Sequence, residues 1–194
     1  MNVGLTGGLG CGKSTAGRLF EQRGFCRLDS DALVRERVLT APAVVAALRG
    51  RYGAAVVRPD GAVDRVALAA RVFSREEERR WLEELTHPRV FALWREGFAA
   101  RPAERWVVEV PLLFEQALEN WFDFTVCVAC SPAQQLARLE QRGLPRGPAG
   151  RRIATQLPLE RKIELSDFVL WNEGSPEFLE AQIEHLINTL ARQF

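Results

Sequence analysis

The stretch Gly7-Gly8-Leu9-Gly10-Cys11-Gly12-Lys13-Ser14 constrains this chain more than any other. It matches the phosphate-binding pattern G-x-x-x-x-G-K-[ST], with further glycines at 8 and 10. The residue types follow from the task. Glycines let consecutive backbone N–H groups close around an anion. A helix starting behind the loop adds unpaired N–H donors and the positive end of its dipole. Lys13 brings a point charge to the β- and γ-phosphates, and Ser14 a hydroxyl for Mg²⁺. Residues 2–6 read as a buried strand and 13–23 as a helix ended by Gly24, so the loop has the expected context of strand before and helix after.

The rest of the chain repeats that alternation. Strands are expected at 25–28, 106–110, 124–130 and 168–171, and helices at 132–142 (capped by Ser131-Pro132), 151–157 and from Ser175-Pro176 to about 190. A short helix is expected at 112–119. Between the second and third strands lies a long helical stretch: 32–39, 42–51, a turn at 58–61, a helix capped by Asp64 and running through Phe73, and one opened by a capping box at Ser74-Arg75-Glu76-Glu77. Thr86-His87-Pro88 is expected to break that last helix, with 89–98 resuming it. The Gly- and Pro-rich segment 143–150 reads as a mobile loop. Strands alternating with helices imply a parallel sheet covered on both faces, here with one crossover enlarged into a substrate-binding subdomain.

Composition narrows the partners. Net charge is +1, with 47% hydrophobic and 26% charged residues among 194. That balance gives no bulk electrostatic reason to bind nucleic acid or membrane. No apolar run approaches transmembrane length, and the start of the chain lacks the basic region of a signal peptide, so a cytoplasmic enzyme is expected. Of the 26 basic residues only Lys13 and Lys162 are lysine. A lysine kept in the phosphate loop suggests a need for a compact ammonium there. Cys127-Val-Ala-Cys130 is formally C-x-x-C, but it lies in a strand-like apolar run and no second pair completes a zinc site; these cysteines read as small core residues. The five tryptophans are likewise expected to pack in cores. Cys11 differs: a helix N-terminus stabilises a thiolate, which makes it a candidate for oxidation.

Which nucleotide chemistry follows the loop is decided elsewhere. None of the asparagines precedes lysine, so the guanine-reading Asn-Lys-x-Asp of GTPases is absent. Asp29 and Asp31, taken as a strand end, would point the same way at the rim where open parallel sheets bind ligands. There a carboxylate can orient a hydroxyl and accept its proton, or it can cap the next helix. Glu109 can contribute to a magnesium shell through water or be a partly buried carboxylate satisfied by backbone donors. Arg138, Arg142, Arg146, Arg151 and Arg152 flank the 143–150 segment and can form a lid over the transferring phosphoryl group, or a solvated basic face. The alternatives are a small-molecule kinase of one acceptor or another, and an ATP-gated binding module.

These motifs together resemble the dephospho-CoA kinase family over nearly the whole chain. The resemblance rests on the loop through Thr15, Leu28-Asp-Ser-Asp31 with Arg35, Gly61 with Asp64-Arg65 and Leu68, and Thr86-His-Pro88. It continues in Val108-Glu-Val-Pro-Leu-Leu-Phe-Glu115, Gln135 with Arg138 and Arg142, Arg152-Ile153 with Gln156, and Asn172-Glu-Gly-Ser175. It implies a three-layer α/β P-loop kinase fold with a five-stranded parallel sheet: core 1–31 and 104–194, helical CoA-binding insertion 32–103, lid 138–157. It implies ATP-dependent phosphorylation of the ribose 3′-hydroxyl of dephospho-CoA, the last step of coenzyme A biosynthesis, by a monomer or weak homo-oligomer. Gly10, Cys11, Gly12, Lys13, Ser14 and Thr15 would then hold ATP and Mg²⁺, Asp31 would be the base or orienting group, and Arg35 and His87 would help bind the acceptor. Arg138 and Arg142 would serve the lid, and Asn172 would lie near the adenine. The chain departs from the family with Cys11 for the usual Ser, Ser30 and Ser166 for Ala, and Pro145-Arg-Gly-Pro-Ala-Gly150 for a more helical, acidic lid stretch.

Overall fold

The computed structural model describes residues 1–72 and 75–193. The chain divides into two compact units, Met1–Asp29 with Ala103–Phe194, and Ser30–Pro102.

The first unit holds a five-stranded sheet in the order β2-β3-β1-β4-β5. Its strands are β1 (Asn2–Gly7), β2 (Phe25–Asp29), β3 (Arg105–Glu109), β4 (Phe124–Ala129) and β5 (Phe168–Trp171), all paired in parallel. β1 is central, which explains its unbroken apolar run: both faces are covered, and Val3 and Leu5 are wholly buried. The core around it takes in Ala16 and Phe20 of α1 (Lys13–Gln22) and Leu179, Ile183 and Leu190 of the terminal helix (Pro176–Gln193). α1 stops where Gly24 (φ 84°) turns the chain back, its N–H bonded to Glu21 O at 3.0 Å.

At the outer edge of β5, the Gln182 carboxamide accepts from Trp171 N at 2.9 Å and donates to Trp171 O at 2.8 Å. Trp171 itself is 48% exposed, contrary to a core position for every tryptophan. The reason is its place at the end of an edge strand.

The second unit is helical: α2 (Ser30–Leu33), α3 (Pro42–Tyr52), α4 (Arg65–Val72) and α5 (Glu76–Ala100). Between α2 and α3 the backbone widens into a π-helical turn over Val34–Val38, with Leu39 N bonded to Val34 O at 2.9 Å, in place of one regular helix over 32–39. Asp64 caps α4, its Oδ1 accepting from Val66 N and Ala67 N, each at 3.0 Å. The end of that helix at Phe73 and the capping box at Ser74 lie outside the described residues.

α5 runs straight through Pro88, where a break is expected. A proline there removes one backbone bond, at a cost of about 3 kcal/mol. Against that, Thr86, Val90 and Trp94 recur at four-residue spacing and are all buried, and the Thr86 hydroxyl bonds Leu82 O at 2.8 Å. Packing of one long face outweighs the local defect.

Three further segments of the first unit depart from expectation. Residues 111–117 are turns, not a helix, and Ala117 has φ 50°. The Pro111 carbonyl is taken at 2.7 Å by Lys162 Nζ, which removes the first acceptor a helix would need. The 143–150 loop is largely helical, as part of α7 (Arg146–Ala154). Pro145 caps it in extended conformation, and Pro148 falls in the first turn, where its missing N–H has no helical partner to lose. α7 ends before the expected 151–157 helix would, and a separate α8 (Leu159–Leu165) follows. α6 (Pro132–Gln141) begins as expected, Ser131 Oγ accepting from Gln134 N at 3.3 Å.

Candidate active site

The glycine loop leaves the middle of the sheet and enters α1. Gly12 sits before the helix in the left-handed region (φ 98°, ψ 26°), a conformation costly for any residue with a side chain. A Cβ there would also collide with the Asn172 carboxamide. Lys13 and Ser14 are the first two helical residues, whose N–H groups have no partner within the helix. The Lys13 ammonium donates to Gly7 O at 2.9 Å and Gly8 O at 3.1 Å, so it curls over the loop it belongs to. Ser14 is exposed beside it.

The loop is braced from the side by α6 and by the turn after β5. Gln135 Nε2 donates to Leu9 O at 3.0 Å and lies 3.3 Å from Cys11 Sγ. Asn172 Nδ2 donates to Cys11 O at 2.8 Å. Arg138 Nη2 donates to Asn172 O at 2.9 Å, and its Nη1 reaches Cys11 O at 3.4 Å. Glu173 locks the brace: its two oxygens accept from Ser131 N and Ser131 Oγ, each at 2.6 Å, tying the start of α6 to the end of β5. Those donors hold the Glu173 carboxyl below the usual range.

Gln135 and Glu173 were not singled out from sequence for this role. One signal for Gln135 was present. It shares a face of α6 with Leu139, four residues on, and only 3% of it is exposed, as expected of a polar residue at an apolar position.

The expected residues divide among several surroundings. Gly10, Cys11, Gly12, Lys13, Ser14, Thr15, Arg138 and Asn172 come together at the loop. Arg142 is the residue that ends α6 and is exposed, as are Arg151 and Arg152; Arg146 pairs with Glu140 at 3.0 Å. Glu109 is buried and takes Arg27 Nη2 at 2.6 Å and Nε at 2.6 Å, so its charge is matched by a guanidinium rather than by backbone donors. Gly17 of α1 leaves room for that pair, since a Cβ would strike both side chains. Asp29 lies 3.9 Å from the same Arg27.

Asp31 is not on a strand end: β2 stops at Asp29, and Asp31 lies in the first turn of the helix α2, exposed. The shared orientation expected of Asp29 and Asp31 therefore does not arise from strand alternation. Arg35 is exposed in the π-helical turn. His87 lies in α5 with its ring 5.7 Å from that of Phe91, and burial pushes its imidazole below the ordinary value.

Among the described residues no group of three or more His, Cys, Asp or Glu side chains is placed to hold a metal ion, the Cys127 and Cys130 pair included. No helix among them is long and apolar enough to cross a membrane.

The family model described as Dephospho-CoA kinase matches residues 1–177. A dephospho-CoA kinase of Thermosynechococcus vestitus is 43% identical over 194 residues, spanning 99% of this chain and 96% of its own. One of Anaeromyxobacter dehalogenans is 41% identical, over 97% of this chain and 91% of its own. Among solved structures, TT1252 of Thermus thermophilus superposes with TM-score 0.86 at 35% identity, over 98% of this chain and 97% of its own. A shikimate kinase of Acinetobacter baumannii, at 18% identity and TM-score 0.53 over 97% of this chain and 93% of its own, shares the fold alone. With the glycine loop on the central strand and a match of this extent, the chain belongs to the dephospho-CoA kinase family.

Proposed function

We propose that this chain transfers the γ-phosphoryl group of ATP to the ribose 3′-hydroxyl of dephospho-CoA, giving coenzyme A and ADP in the cytoplasm. The observation that carries this is the loop Gly7 to Ser14, set between the central strand and α1 with its lysine curled over it, in a chain of this family. The loop's N–H groups hold the β-phosphate, and Lys13 follows the γ-phosphoryl group as its bond to the bridging oxygen breaks. Arg138 offsets the charge that collects on that oxygen. The acceptor oxygen forms the new bond to phosphorus, and its proton passes to Asp31.

The residues present suit magnesium carried in by the nucleotide. Ser14 offers one hard oxygen ligand, and phosphate and water supply the others. Bound there, the ion would neutralise phosphate charge. Glu109 is engaged by Arg27, which favours a role in shaping the sheet's rim. The insertion 32–103 would carry the acceptor site through Arg35 and His87. The lid over 138–157 would contribute Arg142, and Asn172 would border the adenine.

With Mg-ATP, the purified protein should form ADP only when dephospho-CoA is added; no turnover with that acceptor, but turnover with another in a panel of hydroxyl compounds, would replace it. Asp31→Asn should lower kcat roughly 10²–10⁴-fold while ATP binding persists. An unchanged kcat would remove Asp31 from the proton-accepting role.

A further inference from the structure

The phosphate loop carries a buried thiol, and a second thiol waits beside it. Cys11 Sγ and Cys130 Sγ are 3.5 Å apart, and neither residue is more than 1% exposed. The register of the sheet creates the meeting. Gly7 pairs with Val128, so the residue just past β4 reaches the height at which the loop folds back, with Cys11 N bonded to Gly8 O at 3.2 Å. We propose that Cys11 and Cys130 are a modification site: peroxide converts them to a reversible internal disulfide that closes the phosphate loop to nucleotide. This goes beyond the kinase reading, and its chemical readout does not depend on the acceptor.

The geometry needs little adjustment. A disulfide bond is about 2.05 Å long, so the sulfurs must approach by roughly 1.5 Å. The movement falls on a glycine-rich loop rather than on the strand. The pair is also chemically unequal. The Cys130 thiol's hydrogen bond lowers the Cys11 pKa most, against the effect of burial, and the Lys13 charge adds to the lowering. Donating that hydrogen bond pushes the Cys130 thiol up, so it keeps its proton. The neighbouring Cys127 is pushed up to about 12 by burial and is a poor competitor.

The reaction balances in two steps. Cys11 gives up a proton and its sulfur attacks one oxygen of hydrogen peroxide; the O–O bond breaks, leaving a sulfenic acid and one water. Cys130 sulfur then attacks Cys11 sulfur, and the sulfenic oxygen leaves as a second water with the Cys130 proton. Each sulfur is oxidised by one electron, and the peroxide is reduced. Because both thiols are shielded, the first step requires the loop to open, and bound Mg-ATP should slow it. Drawing Cys11 toward β4 strains its contacts with Asn172 and Gln135 and displaces the N–H groups meant for the β-phosphate.

The test uses the whole reduced protein, in a Cys26→Ser background, treated with hydrogen peroxide with and without Mg-ATP. Expected are an intact mass lower by two hydrogens, a non-reducing digest linking the Cys11 and Cys130 peptides, and a roughly tenfold or greater loss of ATP affinity. Dithiothreitol should restore both mass and affinity, and Mg-ATP should slow the change. Cys130→Ser should bind ATP normally before treatment, form no link, and accumulate oxygen on Cys11 that dithiothreitol does not fully remove. Three results would overturn the proposal: oxygen added at Cys11 with no link formed in the Cys130-containing protein, a link through Cys127 instead, or full ATP affinity in the linked protein.

Discussion

Lys13 and Lys162 carry the same ammonium on the same four-carbon stem, in a chain that otherwise uses arginine for its positive charge. Lys13 rests partly exposed on the carbonyls of Gly7 and Gly8. Lys162 is wholly buried, 2.8 Å from Glu115 Oε1 and 2.7 Å from Pro111 O. At the loop the ammonium lies on carbonyl dipoles, where an arriving phosphate would meet it. A carboxylate cancels the charge, and burial makes the arrangement permanent. Glu115 also accepts from Leu157 N at 2.9 Å, so Lys162 ties three separated segments together: the turns after β3, the residues after α7, and α8. One lysine is held ready for a ligand, and the other is spent on the scaffold.

The sharpest way to break this contrast is at the loop. Lys13→Met should lower kcat roughly 10²–10³-fold, the loss typical of one transition-state donor, with the urea midpoint unchanged. A shifted midpoint would mean that Lys13 also holds the fold. Lys162→Met should do the reverse, lowering unfolding free energy by about 1–3 kcal/mol because the buried ammonium's bonds to Pro111 O and Glu115 are lost. Adding Glu115→Gln should recover part of that loss; no recovery would place the effect in packing rather than charge. Gln135→Leu is a smaller test of whether the loop needs its brace. It should weaken ATP binding by about 1 kcal/mol, close to fivefold, with Gln135→Glu no substitute because it replaces the donor. An unaltered ATP affinity would make the brace incidental.

The least effect is expected from His87, a half-buried base on which the neighbouring Glu83 charge opposes part of the effect of burial. Burial lowers its pKa below the ordinary 6.5, so the unfolded chain binds the proton more readily. Stability should therefore decline as pH falls below about 6.5, through to the lowered folded value, and the decline should be shallower in His87→Gln. NMR titration of the His87 ring above 6.5 would contradict this.

The sheet was legible because each strand is an apolar run closed by glycine, proline or a polar cluster, and the caps at Asp64 and Ser131 act over three residues of chain. What escaped was set by partners far away in sequence. No local pattern near Pro111 announces that Lys162 will occupy its carbonyl. Pro88 reads as a stop until the buried face formed by Thr86, Val90 and Trp94 is known. Pro148 looks like loop chemistry, yet at the first turn of α7 it costs nothing. At the site, the loop itself was plain, whereas the grip of Gln135, Asn172 and Glu173 on it depends on bringing α6 and the end of β5 together. Asp31 was placed on the wrong kind of element, by two residues, because a strand end and a helix start share the same polar vocabulary.

The Gln182 side chain at the rim of β5 has a consequence for how copies of this molecule treat one another. By answering both the N–H and the C=O that Trp171 turns outward, its carboxamide acts as a strand one residue wide. A sheet margin with open donors and acceptors invites a neighbour to zip on and extend the ladder into a fibre. Here the end of that margin is already occupied by a glutamine anchored on the terminal helix, and an incoming strand would have to evict it before its first bond could form.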